Sequence, residues 1–319
     1  MSVRSTLGPV GPAGPAGSAP GGLPGARYVS DGGLETDLIF HHSVDLPEFA
    51  SFPLVDTERG RTLLRDYFTG YAGVARRAGV GLTLETPTWR ANPDWGARVG
   101  YDAAGLDRAN RACVGLLQQL RREHADLPDV RIVGVVGPRG DGYVAGEAPA
   151  PGDAAAYHRP QVAALAEAGA DIVASFTFTT VEEALGVVRA AREVGVPVLV
   201  GFTVETDGRL PDGTPLGAAV RRTDAAAAPD GYLLNCAHPT HVAPALDVGG
   251  DWLERVVQLN PNASTQTHAE LDAAEDLDAG DVDLLVHSCA DLVPALPALR
   301  VLGGCCGTDT RHVAALWGV

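Results

Sequence analysis

Three cysteines carry the most chemistry in this chain. Near its C-terminal end it reads Gly303-Gly304-Cys305-Cys306-Gly307-Thr308, two adjacent cysteines between glycines, directly after the strand-like run Arg300-Val301-Leu302. Upstream, Tyr232-Leu233-Leu234-Asn235-Cys236 sets a third cysteine at the end of another apolar run. Three thiolates at two strand ends make a candidate zinc site with one position left open, and open-position zinc is the catalytic kind. A substrate thiol suits that position, because zinc holds a sulfur as thiolate near neutral pH, and a thiolate attacks an activated methyl group. The glycines beside the pair let the backbone bend until two neighbouring side chains face one ion. Other accounts fit the same residues: adjacent cysteines also serve as small buried apolar groups or close a strained vicinal disulfide. Cys113, in Arg108-Ala109-Asn110-Arg111-Ala112-Cys113, and Cys289 read as core. His238 and His241 follow Cys236 closely enough for Cys-x-His ligation, although histidines so placed more often cap the next helix.

Polar groups recur at other strand ends. Asp31, in Asp31-Gly32-Gly33-Leu34-Glu35-Thr36, is positioned to bind an ammonium group or to orient a substrate, and equally to act as a helix N-cap. Glu85 and Thr86 close a second run; an acid there lines a mouth more readily than it is buried unpaired. Asn235 and Asn262 offer amide hydrogen bonds to a polar substrate, with turn chemistry as the equally simple account. Gly137-Pro138-Arg139-Gly140-Asp141-Gly142-Tyr143 reads as a flexible loop.

The elements that must hold these residues alternate strand and helix from Tyr28 onward. Strand-like runs fall at Tyr28–Ser30, Val80–Leu84, Val130–Val136, Asp171–Phe178, Pro197–Thr203, Gly231–Leu234, Arg255–Leu259 and Val301–Leu302. Between them lie stretches with apolar spacing of three and four, such as Leu63–Ala78, Ala103–Glu123, Ala154–Ala168 and Val181–Val194; Thr308–Trp317 follows the last strand. This count of β/α units predicts an α/β fold of the (β/α)8 TIM barrel type, a single domain over residues 27–319. The polar residues sit after the strands, on the face where barrel enzymes keep their active sites. A doubly wound open sheet is the alternative, but no Gly-x-Gly-x-x-Gly follows the first strand. Residues 1–26, rich in glycine, proline and alanine, read as a disordered tail with too few apolar groups to offset its ordering, so that a chain starting near Arg27 is expected to fold and stay active.

Composition excludes several functions. The net charge of -16 argues against nucleic acid and anionic membrane as partners, since both call for basic patches. No apolar run approaches the length of a membrane span, and the N-terminus lacks a signal-peptide layout, so a cytoplasmic location is expected. Five cysteines, an odd number, fit reduced thiols or metal ligands better than a disulfide framework. All 24 basic residues are arginine. Without lysine there is no Schiff-base chemistry, no covalent pyridoxal phosphate and no P-loop.

Asp31-Gly32-Gly33, Asn235-Cys236 and Gly303-Gly304-Cys305-Cys306-Gly307-Thr308, taken together, resemble the homocysteine S-methyltransferase family. That zinc-thiolate barrel family also includes betaine–homocysteine methyltransferases and the homocysteine-binding part of methionine synthases. The resemblance spans about Tyr28 to Val319. It implies zinc on Cys236, Cys305 and Cys306, an acceptor thiol on that zinc, and Asp31 near the acceptor's amino group. Glu85 and Thr86 match the family's second strand end, where acceptor-contacting residues lie. The implied partners are a small-molecule thiol and a methyl donor. No cobalamin or folate module follows the barrel in this sequence, which leaves onium donors: S-methylmethionine, S-adenosylmethionine or betaine.

One departure bears on the acceptor. Family members usually carry an acid at the end of strand 4 that grips the homocysteine ammonium; here Phe176 or Thr177 stands there. The acceptor is then either homocysteine held differently or another thiol, and a thiol-binding barrel without turnover is the non-enzymatic alternative. A barrel metallohydrolase would want histidine and carboxylate ligands after the first strand, and Asp31-Gly32-Gly33 offers no histidine.

Overall fold

The structure, a computed structural model, describes Leu23 and residues 27–319. The expected tail, residues 1–26, lies outside the described residues except for Leu23.

Eight parallel strands close a barrel in sequence order: β1 (Tyr28–Val29), β2 (Gly81–Glu85), β3 (Val130–Val136), β4 (Ile172–Ser175), β5 (Val198–Phe202), β6 (Gly231–Asn235), β7 (Val256–Asn260) and β8 (Val301–Leu302). Closure is made by β1, which pairs with both β2 and β8. The ring rules out the open doubly wound sheet. The sequence signals explain the elements. In helix Glu58–Ala78 the Thr57 side chain accepts from Gly60 N–H, and Gly79 in the left-handed region ends the helix (φ 69°). Helix Ala103–Glu123 opens on an Asp102 cap to Gly105 N–H and buries the stripe Leu106, Cys113, Leu117 and Leu120 against the sheet. No helix among the described residues is long and apolar enough to cross a membrane.

One strand is shorter than its sequence suggests. The apolar run Asp171–Phe178 predicts a strand to Phe178, but β4 stops at Ser175. Thr177 has a φ of 57°, outside the extended region, and its N–H donates to the Asn235 side chain (3.0 Å) instead of joining a ladder. Phe178 returns only as an isolated bridge to Phe202. The kink lifts Phe176 and Thr177 into the C-terminal mouth.

Inside the barrel a separate apolar cluster includes Val133, Ile172, Leu199, Leu233 and Val257. Leu23 belongs to it and is 1% exposed. A chain beginning at Arg27 is therefore expected to melt measurably below one beginning just before Leu23, and Leu23→Ala to cost roughly 2–5 kcal/mol, as for a buried leucine elsewhere. Equal melting temperatures for the two truncations would show that Leu23 adds nothing to the barrel interior.

Candidate metal centre and active site

The barrel brings the three cysteines together. Cys236 directly follows β6; Cys305 and Cys306 follow the Gly303-Gly304 step after β8. Their sulfurs all lie within 4.8 Å of one another, in the one such cluster of metal-binding side chains among the described residues. Sulfurs about 2.3 Å from a tetrahedral zinc stand about 3.8 Å apart, so a small closure accommodates the ion. All five cysteines are free thiols, and no vicinal disulfide joins Cys305 to Cys306. Cys113 and Cys289 are buried elsewhere, as expected, and burial pushes both thiols up. Taken by themselves the three clustered thiols share one charge. Hydrogen bonds from Cys305 and Cys306 hold Cys236 well below the usual thiol range, while those two are pushed up. A soft thiolate donor set with no histidine or carboxylate member fits zinc.

The backbone around the thiols is fixed by cross-loop hydrogen bonds. Cys236 N–H donates to Asn260 C=O (3.0 Å), Cys305 N–H to Pro261 C=O (2.8 Å), and Ala263 N–H to Cys306 C=O (3.1 Å). Gly33 lies where a Cβ would come within 2.7 Å of Cys305 C=O and 3.0 Å of Cys306 Cα, so the first loop can rest on the cysteine turn only as glycine. Cys236, Thr177 and Phe49 all have positive φ (59°, 57° and 58°). Each such non-glycine conformation costs roughly 1–3 kcal/mol and persists only where surroundings over-determine it. His268 supplies part of that constraint at Cys236. Its Nε2 meets the Cys236 C=O (2.8 Å) and its Nδ1 the Glu205 carboxylate (3.0 Å). Burial lowers its pKa, but the Cys236 sulfur and carbonyl and Glu205 outweigh this and raise it.

A cavity at the same mouth is lined by Asp31, Glu35, Glu85, Asn235, Cys305 and Cys306, among others, and by no arginine or histidine. Ser30 Oγ donates to Glu85 (2.7 Å), as does Gln258 Nε2 (2.7 Å). Asp31 is pushed well above the usual carboxylate range, by burial first and then by the Glu85 charge, and Glu85 itself is raised by burial. Glu35 accepts from Ser51 Oγ (2.6 Å) and is also raised by burial. The three carboxylates are thus crowded far from water, with Arg90 acting on Glu35 from outside the cavity lining.

Asp31 caps no helix: the short helix after it has no side-chain cap. Asn235 lines the cavity; its Oδ1 is spent on Thr177 N–H, while its buried Nδ2 has no partner among the described residues. Thr86 lines the cavity, but its hydroxyl is engaged by Val135 N–H (2.8 Å) and Thr88 Oγ1 (2.6 Å), which pins β2 to β3. Asn262 Nδ2 reaches Cys236 Sγ (3.7 Å). His238 caps helix Pro239–Asp247, and His241 bonds the Thr265 carbonyl; neither joins the thiols. Phe176 and Thr177 line the cavity with no acid beside them on β4.

The site also includes residues that sequence reasoning did not single out. Glu35 sits in the quoted Asp31–Thr36 motif, four positions past Asp31, and nothing in its spacing distinguishes it from a surface helix acid. Tyr143 lies in the glycine-rich loop after β3, yet its hydroxyl is 3.1 Å from Cys236 Sγ and 3.9 Å from Cys306 Sγ. Trp89 closes the loop side through a hydrogen bond from its indole N–H to Thr177 Oγ1 (3.0 Å). A second cavity adjoins the first, sharing Phe49, Trp89, Tyr143 and Cys306 with it.

The family model for homocysteine S-methyltransferase matches residues 28–318. The chain is 28% identical over 266 residues to the homocysteine S-methyltransferase of Escherichia coli strain K12, which covers 75% of this chain and 80% of that protein. It is 25% identical over 273 residues to the homocysteine S-methyltransferase YbgG of Bacillus subtilis strain 168, covering 78% and 79%. Among solved structures, the oxidized form of the homocysteine methyltransferase MmuM from Escherichia coli aligns with a TM-score of 0.70 at 25% identity, over 91% of this chain and 94% of that one.

Proposed function

The chain belongs to the homocysteine S-methyltransferase family, and from that premise we propose that it moves a methyl group from a small onium donor to a small thiol, with homocysteine as acceptor and methionine as product. The observation that carries this reading is at Cys306: it belongs to the thiol cluster and lines both the acid-lined cavity and the second cavity beside it.

Cys236, Cys305 and Cys306 are the residues that would hold zinc. When bound, zinc supplies a Lewis acid that keeps an acceptor sulfur deprotonated near neutral pH. Asp31, Glu35 and Glu85 bind the acceptor's ammonium and turn its sulfur toward the cysteines. The Asn235 Nδ2 donates to the acceptor's carboxylate. Tyr143, packed against His268 at a tilt of 34° with ring centroids 4.5 Å apart, keeps water from the thiol cluster on the loop side. The acceptor sulfur then attacks the donor's methyl carbon; the new S–C bond forms as the onium–carbon bond breaks, and the electron pair leaves with a neutral sulfide or amine. The acceptor thiol gives up one proton, so charge balances.

A steady-state assay of the full chain against homocysteine and related thiols, each with S-methylmethionine, S-adenosylmethionine and betaine, tests the proposal. Methionine formed from homocysteine by at least one donor is the expected result, and no methylated thiol from any pairing would sink it. The absence of an acid at the end of β4 favours a second reading, a thiol other than homocysteine as acceptor, which the same panel separates.

A further inference from the structure

Arg90 is the one arginine buried at the mouth of the barrel, and it forms no direct ion pair among the described residues. It is 8% exposed, it follows Trp89 in the loop after β2, and it lines the second cavity together with Asp141, Asp272 and Asp276. Its guanidinium is clamped between two indoles, with its carbon 4.0 Å from the Trp89 ring centroid and 3.5 Å from that of Trp95. Only one of its nitrogens is paired: Nη1 donates to Gly140 C=O at a long 3.4 Å, and the buried Nε has no partner among the described residues. Among the described residues no carboxylate lies within ion-pair distance of it, although Asp141 and Glu35 attract it from further off, in a protein where arginine after arginine on the outer surface is paired with an acid. Burial pulls it down to about 10, which leaves it charged at neutral pH.

A buried, unpaired charge is costly, and a structural plug between two tryptophans needs no charge at all. Stacking holds the guanidinium plane rigid while leaving its in-plane N–H groups free, the arrangement suited to bidentate capture of a planar anion. Apart from His268, whose ring nitrogens are spent on Glu205 and the Cys236 carbonyl, the charged residues of the rest of the cavity are acids. Asp141, Asp272, Asp276 and Asp278 with the rings of Phe49 and Tyr143 suit a cation, through charge and through the ring faces. A ligand matching both is a zwitterion whose cationic end lies nearer Cys306.

We infer that Arg90 binds the carboxylate of a zwitterionic onium compound in the second cavity, making it a specificity-determining residue for the methyl donor. This rests on the function proposed above for the ligand's role as donor, but not for its recognition. Donors with a carboxylate are selected over equally charged onium compounds without one. Arg90 does not line the neighbouring acceptor cavity, so it reaches the acceptor only through the distant Glu35 charge.

Calorimetric binding to the full-length protein tests the inference without turnover. The probes are two matched pairs: betaine against choline, and S-methylmethionine against its methyl ester. Wild type is expected to bind at least one zwitterion about ten- to hundredfold more tightly than its carboxylate-free counterpart, the range for a charge-assisted bidentate contact. Arg90→Gln is expected to erase that ratio, and Arg90→Lys to restore part of it, while the Michaelis constant for the acceptor thiol stays within about twofold in both. Wild type that binds neither zwitterion more tightly than its partner overturns the inference whether or not the variants fold. So does an Arg90→Gln protein that keeps the preference, or one in which only the acceptor constant rises. Selective binding without methyl transfer to any thiol would instead leave the carboxylate site standing and remove the methyltransferase reading.

Discussion

Replacing Cys305 with alanine is expected to weaken zinc binding more than about a hundredfold and to abolish methyl transfer. Loss of a group that merely orients a metal ligand costs about 10- to 100-fold in affinity or activity, and removing a ligand outright costs more. Cys236→Ala and Cys306→Ala are expected to behave alike, because the three sulfurs form one cluster with no fourth cysteine, histidine or carboxylate to take a lost place. Wild type is expected to carry close to one zinc per chain by elemental analysis. Cys113→Ala serves as the control; it sits fully buried in helix Ala103–Glu123, so its loss touches stability but not metal content. A Cys305→Ala protein with a full complement of zinc would rule out this metal centre.

Glu85→Gln is expected to raise the Michaelis constant for homocysteine about ten- to hundredfold with the donor's constant unchanged. A carboxylate meeting an ammonium in a buried pocket contributes about 1.5–3 kcal/mol, and each 1.4 kcal/mol is a factor of ten. In place of an acid on β4, the cavity has Asp31 and Glu85 in contact and Glu35 nearby, with no arginine or histidine among its lining residues. An incoming ammonium offsets the burial that raises both groups and the Glu85 charge that pushes Asp31 up further. Gln at 85 keeps the shape and the bond from Ser30 but removes a charge. The informative comparison is 4-mercaptobutyrate, which has the thiol and carboxylate of homocysteine and no amine. Its constant is expected to stay level in Glu85→Gln, and an equal rise for both thiols would show that Glu85 shapes the cavity rather than binding the ammonium.

The barrel and its thiol cluster were legible in the sequence because their signals are local or repeat. Strand runs with polar ends recur along the chain, and β3 and β8 fall where the apolar runs place them. Cysteines at strand ends of a closed parallel barrel must share its C-terminal mouth, so their meeting followed from topology alone. The absence of lysine and the charge of -16 likewise excluded whole chemistries from composition.

Only the tertiary structure decided the rest. That β4 breaks at Thr177 depends on the Asn235 side chain, a partner 58 residues away, overriding the apolar run that predicts a longer strand. Tyr143 reads as part of a flexible glycine loop, because nothing in Gly140-Asp141-Gly142-Tyr143 reveals that its hydroxyl reaches Cys236 across 93 positions. Arg90 looks like an ordinary surface cation until Trp89 and Trp95 are seen to enclose it. Sequence periodicity reports which face of an element is buried, and so determines the scaffold. Which loop side chains meet over the mouth depends on long-range contacts whose partners carry no shared period.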